Sequence, residues 1–215
     1  MSLEPYYNYK GITIYHGNYL DILPQLEQVD LVLTDPPYGI GEAAGKNIKR
    51  TGGLAQATNY GNSAWDNKPI ENESLLMLLS YGKYACCFGG NYYLVAPSSC
   101  WLVWDKVNYG NDFADCELAW TNYPCAVRMK KHQWNGMLRK HKEPRYHPTQ
   151  KPLDVIKWAM QLSPKYDSIL DPFMGSGTTL VAAKDLHRKA IGIEISEEYC
   201  ELTVRRLAQE VIPFN

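Results

Sequence analysis

The last third of this 215-residue chain repeats one rhythm, a short apolar run rich in Ile followed by a helical pattern, and few architectures accept it. Ser168 to Leu170 reads as a strand, Gly175-Ser176-Gly177 as a turn and Thr178 to Leu186 as a helix. Ala190 to Ile193 is then a strand, and Ser196 caps a helix that runs to about Glu210. Upstream, Ile12 to Tyr15 and Val29 to Thr34 read as buried strands around a helical pattern with Leu20, Leu23 and Leu26. The periodicity predicts a helix over Glu73 to Tyr84, strands over Ala85 to Phe88, Cys100 to Trp104 and Glu117 to Thr121, and a helix over Leu153 to Leu162 behind Pro152. Alternating units of this kind predict an α/β fold with a doubly wound, mainly parallel sheet. The length suits a single domain over 1–215.

Composition sets outer limits. With 45% apolar and 21% charged residues the chain can build an ordinary core. No run approaches the ~20 apolar residues of a membrane span, and Met1 to Lys10 lacks the apolar centre of a signal peptide. A cytoplasmic protein with no membrane partner is expected. The cysteines (Cys86, Cys87, Cys100, Cys116, Cys125, Cys200) have no Cys-x-x-Cys spacing and read as reduced, mostly buried thiols. Cys125, His132, His141 and His147 match no zinc spacing, so no metal is expected.

Two short strings carry the chemistry. Asp171-Pro172-Phe173-Met174-Gly175-Ser176-Gly177 places a glycine turn between a strand and a helix, where backbone N–H groups approach a ligand closely. Glu194 ends the next strand, near the ~20-residue interval at which an acid reaches ribose hydroxyls. A phosphate loop fits poorly, because no Lys precedes Thr178-Thr179, and a dinucleotide turn would want a glycine where Leu180 stands. A nucleoside cofactor with a small charged tail remains. The second string, Asp35-Pro36-Pro37-Tyr38, lies at the carboxyl end of the Val29 to Thr34 strand, where open α/β sheets gather their ligands. A carboxylate and a carbonyl held by φ-restricted prolines suit the hydrogens of an amino group on a planar ring, and Tyr38 suits stacking on that ring.

Together with His147-Pro148-Thr149-Gln150-Lys151-Pro152, these strings closely resemble the S-adenosylmethionine-dependent DNA amino-methyltransferases that act on adenine N6 or cytosine N4. The resemblance is to the circularly permuted group, in which the catalytic motif precedes the glycine motif of the Rossmann-like methyltransferase domain. It implies a catalytic set of Asp35, Pro36, Pro37 and Tyr38. The cofactor set it implies is Asn18, Asp35, Thr149, Lys151, Asp171, Phe173, Gly175, Ser176, Gly177, Thr178 and Glu194. Within it, Asn18 takes the adenine contact, where the family more often has Asp, Asp171 lies near the cofactor's amino group, and Thr149 and Lys151 lie near its carboxylate. Asp-Pro-Pro-Tyr is more typical of adenine enzymes, so adenine N6 is the favoured target. Cytosine N4 is the alternative, and a catalytically idle DNA-binding protein of the same fold is the reading from another class. Pro124-Cys125 resembles the nucleophile of a cytosine-C5 enzyme but lies far from the catalytic turn in sequence.

A base within a duplex cannot reach such a pocket, which implies flipping. Residues 39–64, rich in Gly, Asn, Ala and Thr, read as a mobile loop able to close over the base as a lid, with Trp65 as a core or stacking residue. Net charge is only −1, yet Arg128 to Lys151 carries eight basic residues against the single acid Glu143. Arg128, Lys130, Lys131, Arg139, Lys140, Lys142 and Arg145, with Trp134 and Tyr146 among them, make 123–148 the expected DNA-contacting segment. Double-stranded DNA is the expected partner; a homodimer and a cognate restriction endonuclease are left open.

Overall fold

The computed structural model describes residues 3–39, 69–109, 114–135, 138–139 and 150–209. Residues 40–64 of the expected loop, and Trp65 after it, lie outside the described residues. So do Lys140, His141, Lys142, Arg145, Tyr146, His147 and Thr149.

Eleven strands and five helices follow one another in chain order among the described residues. They are β1 (Tyr7–Tyr9), β2 (Ile12–His16), α1 (Tyr19–Ile22), β3 (Val29–Thr34), α2 (Asn72–Leu79), β4 (Gly82–Phe88), β5 (Trp101–Asp105) and β6 (Cys116–Thr121). Then come β7 (Arg128–Lys131), β8 (Trp134–Asn135), β9 (Leu138–Arg139), α3 (Leu153–Gln161), β10 (Ser168–Asp171), α4 (Thr178–Asp185), β11 (Lys189–Glu194) and α5 (Glu197–Ala208). Nine strands form one sheet in the order β1-β2-β11-β10-β3-β4-β6-β5-β7, and β8 and β9 form a separate hairpin. From β2 to β4 every neighbouring pair is parallel; β6 runs antiparallel to both β4 and β5.

Side-chain alternation sorts the core into two layers. Leu31, Leu33, Cys86, Phe88 and Ile169 point to the face covered by α3, α4 and α5, whose Val155, Ala159, Leu180, Ala183 and Leu207 pack there. Val32, Ala85, Cys87, Leu170 and Ile193 point to the other face, covered by α1 and α2 through Ile22, Leu75 and Leu78. The fold is therefore the doubly wound, mainly parallel α/β sheet that the pattern implied. No helix among the described residues is long and apolar enough to cross a membrane.

The differences from expectation are local. The helix expected to reach Tyr84 stops at Leu79, where the Ser80 hydroxyl donates to the Met77 carbonyl at 2.5 Å. β4 begins at Gly82, so close to β3 that a Cβ there would sit 2.7 Å from the Val32 nitrogen. Ser196 does occupy the position ahead of α5, but its side chain makes no capping bond. β1 was not anticipated: Lys10 and Gly11, both at positive φ, form the two-residue turn that pairs Tyr9 with Ile12. The described part of the basic segment starts from the core and the sheet. Tyr123 is buried with its hydroxyl donating to the Ala159 carbonyl at 3.2 Å, and Arg128 to Lys131 form an edge strand parallel to β5.

At the amino ends of β3 and β10 a polar clasp secures the central pairing. The Ser168 N–H donates to Asp30 Oδ2 at 3.1 Å, the Asp30 N–H donates to Ser168 Oγ at 3.0 Å, and Lys165 Nζ lies 3.0 Å from Asp30 Oδ1. Partial burial of the Asp30 carboxyl is outweighed by these partners, which lower its pKa. A depressed carboxylate contributes stability above its unfolded pKa and loses it as pH falls through the folded one. Asp30→Asn should therefore flatten the acid side of the stability profile, and Asp30→Ala should cost about 1–3 kcal/mol at neutral pH, both read by urea denaturation across pH.

Candidate active site

Strand order places the site. β10 leads to β11 on one side and β3 leads to β4 on the other, so the connections diverge where β10 and β3 lie side by side, and ligands bind beyond the carboxyl ends of strands at such a reversal. Asp171 is the last residue of β10 and Asp35 the first after β3. A cavity of about 1000 Å³ opens there, and its wall includes Asn18, Asp35, Pro37, Lys151, Asp171, Phe173, Gly175, Ser176, Thr178 and Glu194. Of the expected cofactor residues, only Gly177 is described yet absent from the wall.

The glycine turn owes its shape to contacts the motif alone does not show. Gly175 and Gly177 have φ of 49° and 75°, and a Cβ on Gly177 would collide with Thr203 of α5. Space beside Gly175 is open, so its backbone faces the cavity without obstruction. Arg206 of α5, almost fully buried, donates to the Ser176 carbonyl, to Ser176 Oγ at 3.2 Å and to Thr178 Oγ1 at 3.3 Å. Arg206 was missed in the sequence because it reads as an ordinary basic residue in the last turn of a helix. Glu194 bridges strand and turn, accepting from the Gly175 and Ser196 N–H groups at 2.9 Å each. Burial raises its pKa against those bonds.

Asn18 Oδ1 accepts from the Leu20 N–H at 3.0 Å and starts α1, so it is both a helix cap and part of the cavity wall. Phe173 packs at 4.9 Å against Tyr19. Burial pushes the Asp171 carboxyl up to about 7, although the Thr179 side chain and the Phe173 N–H both hydrogen-bond to it.

The Asp35 corner is densely held. Lys151 Nζ donates to Asp35 Oδ2 at 2.6 Å and the Tyr38 hydroxyl donates to Asp35 Oδ1. The Tyr93 hydroxyl donates to the Pro37 carbonyl at 2.5 Å, while Pro36 is buried. Tyr38 stacks on Tyr92 with ring centroids 4.9 Å apart, over Gly89, where any side chain would strike the Tyr38 ring. Lys151, expected beside a cofactor carboxylate, thus has Asp35 as its near neighbour, and Glu117 Oε2 lies 3.2 Å from it on the other side. Glu117 carried no sequence signal: it sits within an unremarkable strand. Cys125 lies with its sulfur 2.7 Å from that of Cys100 and, unlike Asp35, is not part of the cavity wall.

Arg128, Lys130 and Lys131 lie together on β7, Arg128 and Lys131 exposed and Lys130 with its ammonium 6.0 Å from the Trp158 ring. Arg139 lies on β9.

Comparison with known proteins identifies the family and the fold. A family model described as DNA methylase, of the N6/N4 methyltransferases, matches residues 91–205. The Type II methyltransferase M.ScaI of Streptomyces caespitosus is 27% identical to this chain over 96% of it and 84% of that protein. The crystal structure of the M1.HpyAVI–SAM complex superposes with a TM-score of 0.54 at 23% identity, covering 92% of this chain and 100% of that one. The cytosine-N4-specific PvuII DNA methyltransferase superposes with a TM-score of 0.58 at 17% identity, covering 98% and 91%. Spanning more than half its residues, the DNA methylase match is decisive, and the chain belongs to the N6/N4 family of DNA methyltransferases.

Proposed function

We propose that this protein transfers a methyl group from S-adenosylmethionine to the exocyclic N6 amine of an adenine flipped out of double-stranded DNA. The observation that carries this reading is a single cavity whose wall joins Asp35 to the glycine turn and Glu194. The donor set fits the cofactor. Glu194 offers a carboxylate where ribose hydroxyls are expected, Asn18 an amide where an adenine edge is expected, and the buried Asp171 a partner for an ammonium. When bound, S-adenosylmethionine supplies a methyl carbon already electrophilic on its sulfonium.

The protein's own contribution is placement. An exocyclic base amine is a weak nucleophile because its lone pair is delocalised into the ring. Acceptance of its hydrogens by Asp35 and by the Pro36 carbonyl favours a pyramidal nitrogen whose lone pair faces the methyl carbon. In-line placement at about 3–3.5 Å then accounts for much of the rate. Both Asp35 oxygens already accept one bond, and each retains a lone pair for the amine. Methylation would leave the amine with one proton to lose; burial raises the pKa of Asp35, against the pull of Lys151, so its carboxylate would take that proton more readily than an exposed one. Adenine rests on Asp-Pro-Pro-Tyr alone. Cytosine N4 is the second reading, supported by the fold shared with the cytosine-N4-specific PvuII enzyme.

Incubation with unmodified DNA and S-adenosylmethionine, followed by mass spectrometry of the nucleosides, should give N6-methyladenine; N4-methylcytosine would select the second reading and no product would refute both. In the same assay Asp35→Ala should lower turnover by about 10²–10⁴-fold while leaving cofactor affinity within a few-fold; unchanged turnover would remove Asp35 from the chemistry.

A cationic group bound beside Asp171 lowers the pKa of that carboxyl from about 7. Cofactor binding near pH 7 should therefore release protons and tighten as pH rises through that value, measured by calorimetry in buffers of different ionisation enthalpy. Asp171→Asn should abolish the proton release. For the DNA side, Lys130→Ala with Lys131→Ala should weaken binding across sequences and reduce the slope of log affinity against log salt by about 2, read by fluorescence anisotropy; identical titrations would take β7 out of the interface.

A further inference from the structure

Four charged side chains from four segments of the fold converge on the Asp35 corner. Asp35 follows β3, Glu117 lies on β6, Lys106 follows β5 and Lys151 precedes α3. They form an unbroken line: Asp35 Oδ2 to Lys151 Nζ at 2.6 Å, Lys151 Nζ to Glu117 Oε2 at 3.2 Å, and Glu117 Oε1 to Lys106 Nζ at 2.5 Å. The line is built into the sheet, because β6 pairs with both β4 and β5 and places Glu117 opposite Trp104, two residues before Lys106. Lys151 is only 7% exposed, and a buried ammonium of that kind is retained only with partners.

We propose that Lys151 and Glu117 are positioning residues for Asp35: the shared ammonium fixes the direction of the carboxylate and holds it ionised, and Glu117 divides that ammonium's pull so that Asp35 stays a strong acceptor. This rests on the reading of Asp35 as the residue that receives the target amine. With Lys151 alone, Asp35 would be locked in a tight buried ion pair and would compete poorly for an amine hydrogen. With Glu117 alone, two carboxylates would face each other in a low-dielectric site and one would protonate. The charge balance is completed by Lys106, whose ammonium and that of Lys151 together hold Glu117 below the ordinary carboxylate range although its burial acts the other way.

Among the described residues, the charged and titratable groups facing Asp35 are Lys151 ahead of α3, Glu117 on β6, the Tyr38 hydroxyl, Asp171 at the end of β10 and Cys87 on β4. Lys151 and Glu117 act on Asp35 with opposite sign. Removing the Glu117 charge leaves the ammonium to Asp35 alone, so the Asp35 pKa falls; removing the Lys151 charge leaves Asp35 buried beside Glu117, so it rises.

The test is carboxyl-carbon NMR of aspartate-labelled full-length chain, with the Asp35 resonance assigned by its loss in Asp35→Asn. Glu117→Gln should move the Asp35 titration down and Lys151→Met should move it up, each by about one pH unit or more, while Lys151→Arg returns it toward the unsubstituted chain. The acid limb of the methyl-transfer pH profile should move with the titration in each variant, which a purely structural role would not produce. Coincident titrations in all variants, or shifts of the same sign, would overturn the proposal. If Lys151→Met does not fold, the near-isosteric Glu117→Gln decides: a downward shift supports the relay and no shift refutes it. Opposite shifts in a chain that transfers no methyl to any DNA would uphold the control of Asp35 and refute the proposed function instead.

Discussion

The pairing of β10 with β3 is the constraint on which the rest of the molecule depends. Ile169 lies beside Leu31 and Leu170 beside Val32, and that register brings Asp171 and Asp35, remote in sequence, to the same end of the sheet. The strands are parallel and buried on both faces, so their register is set by apolar packing on each side and by the Asp30–Ser168 clasp at their amino ends. A slip of one residue would turn Leu31, Leu33 and Ile169 out of one core layer and carry Asp35 away from the cavity.

Around this pairing the protein spends burial on polar groups only where other parts of the fold meet them. Glu194 accepts backbone N–H groups of the glycine turn and of the approach to α5. Arg206 reaches from α5 to the same turn and satisfies a carbonyl and two hydroxyls. Lys151 lies between two carboxylates. In each case a group costly to bury is held by several partners from distant segments, so the geometry of the cavity is tied to the integrity of the whole sheet.

The sequence made the framework legible because a parallel sheet writes itself plainly: its strands are short apolar runs, and β3, β10 and β11 lie within one residue of where periodicity put them. Motifs marked the two corners of the cavity for the same reason, since glycine turns and proline-restricted turns impose backbone chemistry that can be read locally. What stayed hidden depends on contacts between remote segments. Nothing local distinguishes Glu117 in β6 or Arg206 in α5 from surface charges of the same type, and only the tertiary fold reveals that one meets Lys151 beside Asp35 and the other the glycine turn. The end of α2 was misplaced because Lys83 and Tyr84 are acceptable in a helix, and the close approach of Gly82 to β3 is a tertiary fact. Lys151 was singled out in the sequence, but its pairing with Asp35 and Glu117 was not legible there.

The proposed function requires one cavity to bring the methyl donor's reactive carbon to the Asp35 carboxylate. A crystal structure of the chain with S-adenosylmethionine bound tests it most directly. The ribose hydroxyls should lie at Glu194, the adenine edge at Asn18 and the methyl carbon facing Asp35 across a gap wide enough for a planar base amine. A cofactor bound elsewhere, or one lying in this cavity with its methyl turned away from Asp35, would contradict it.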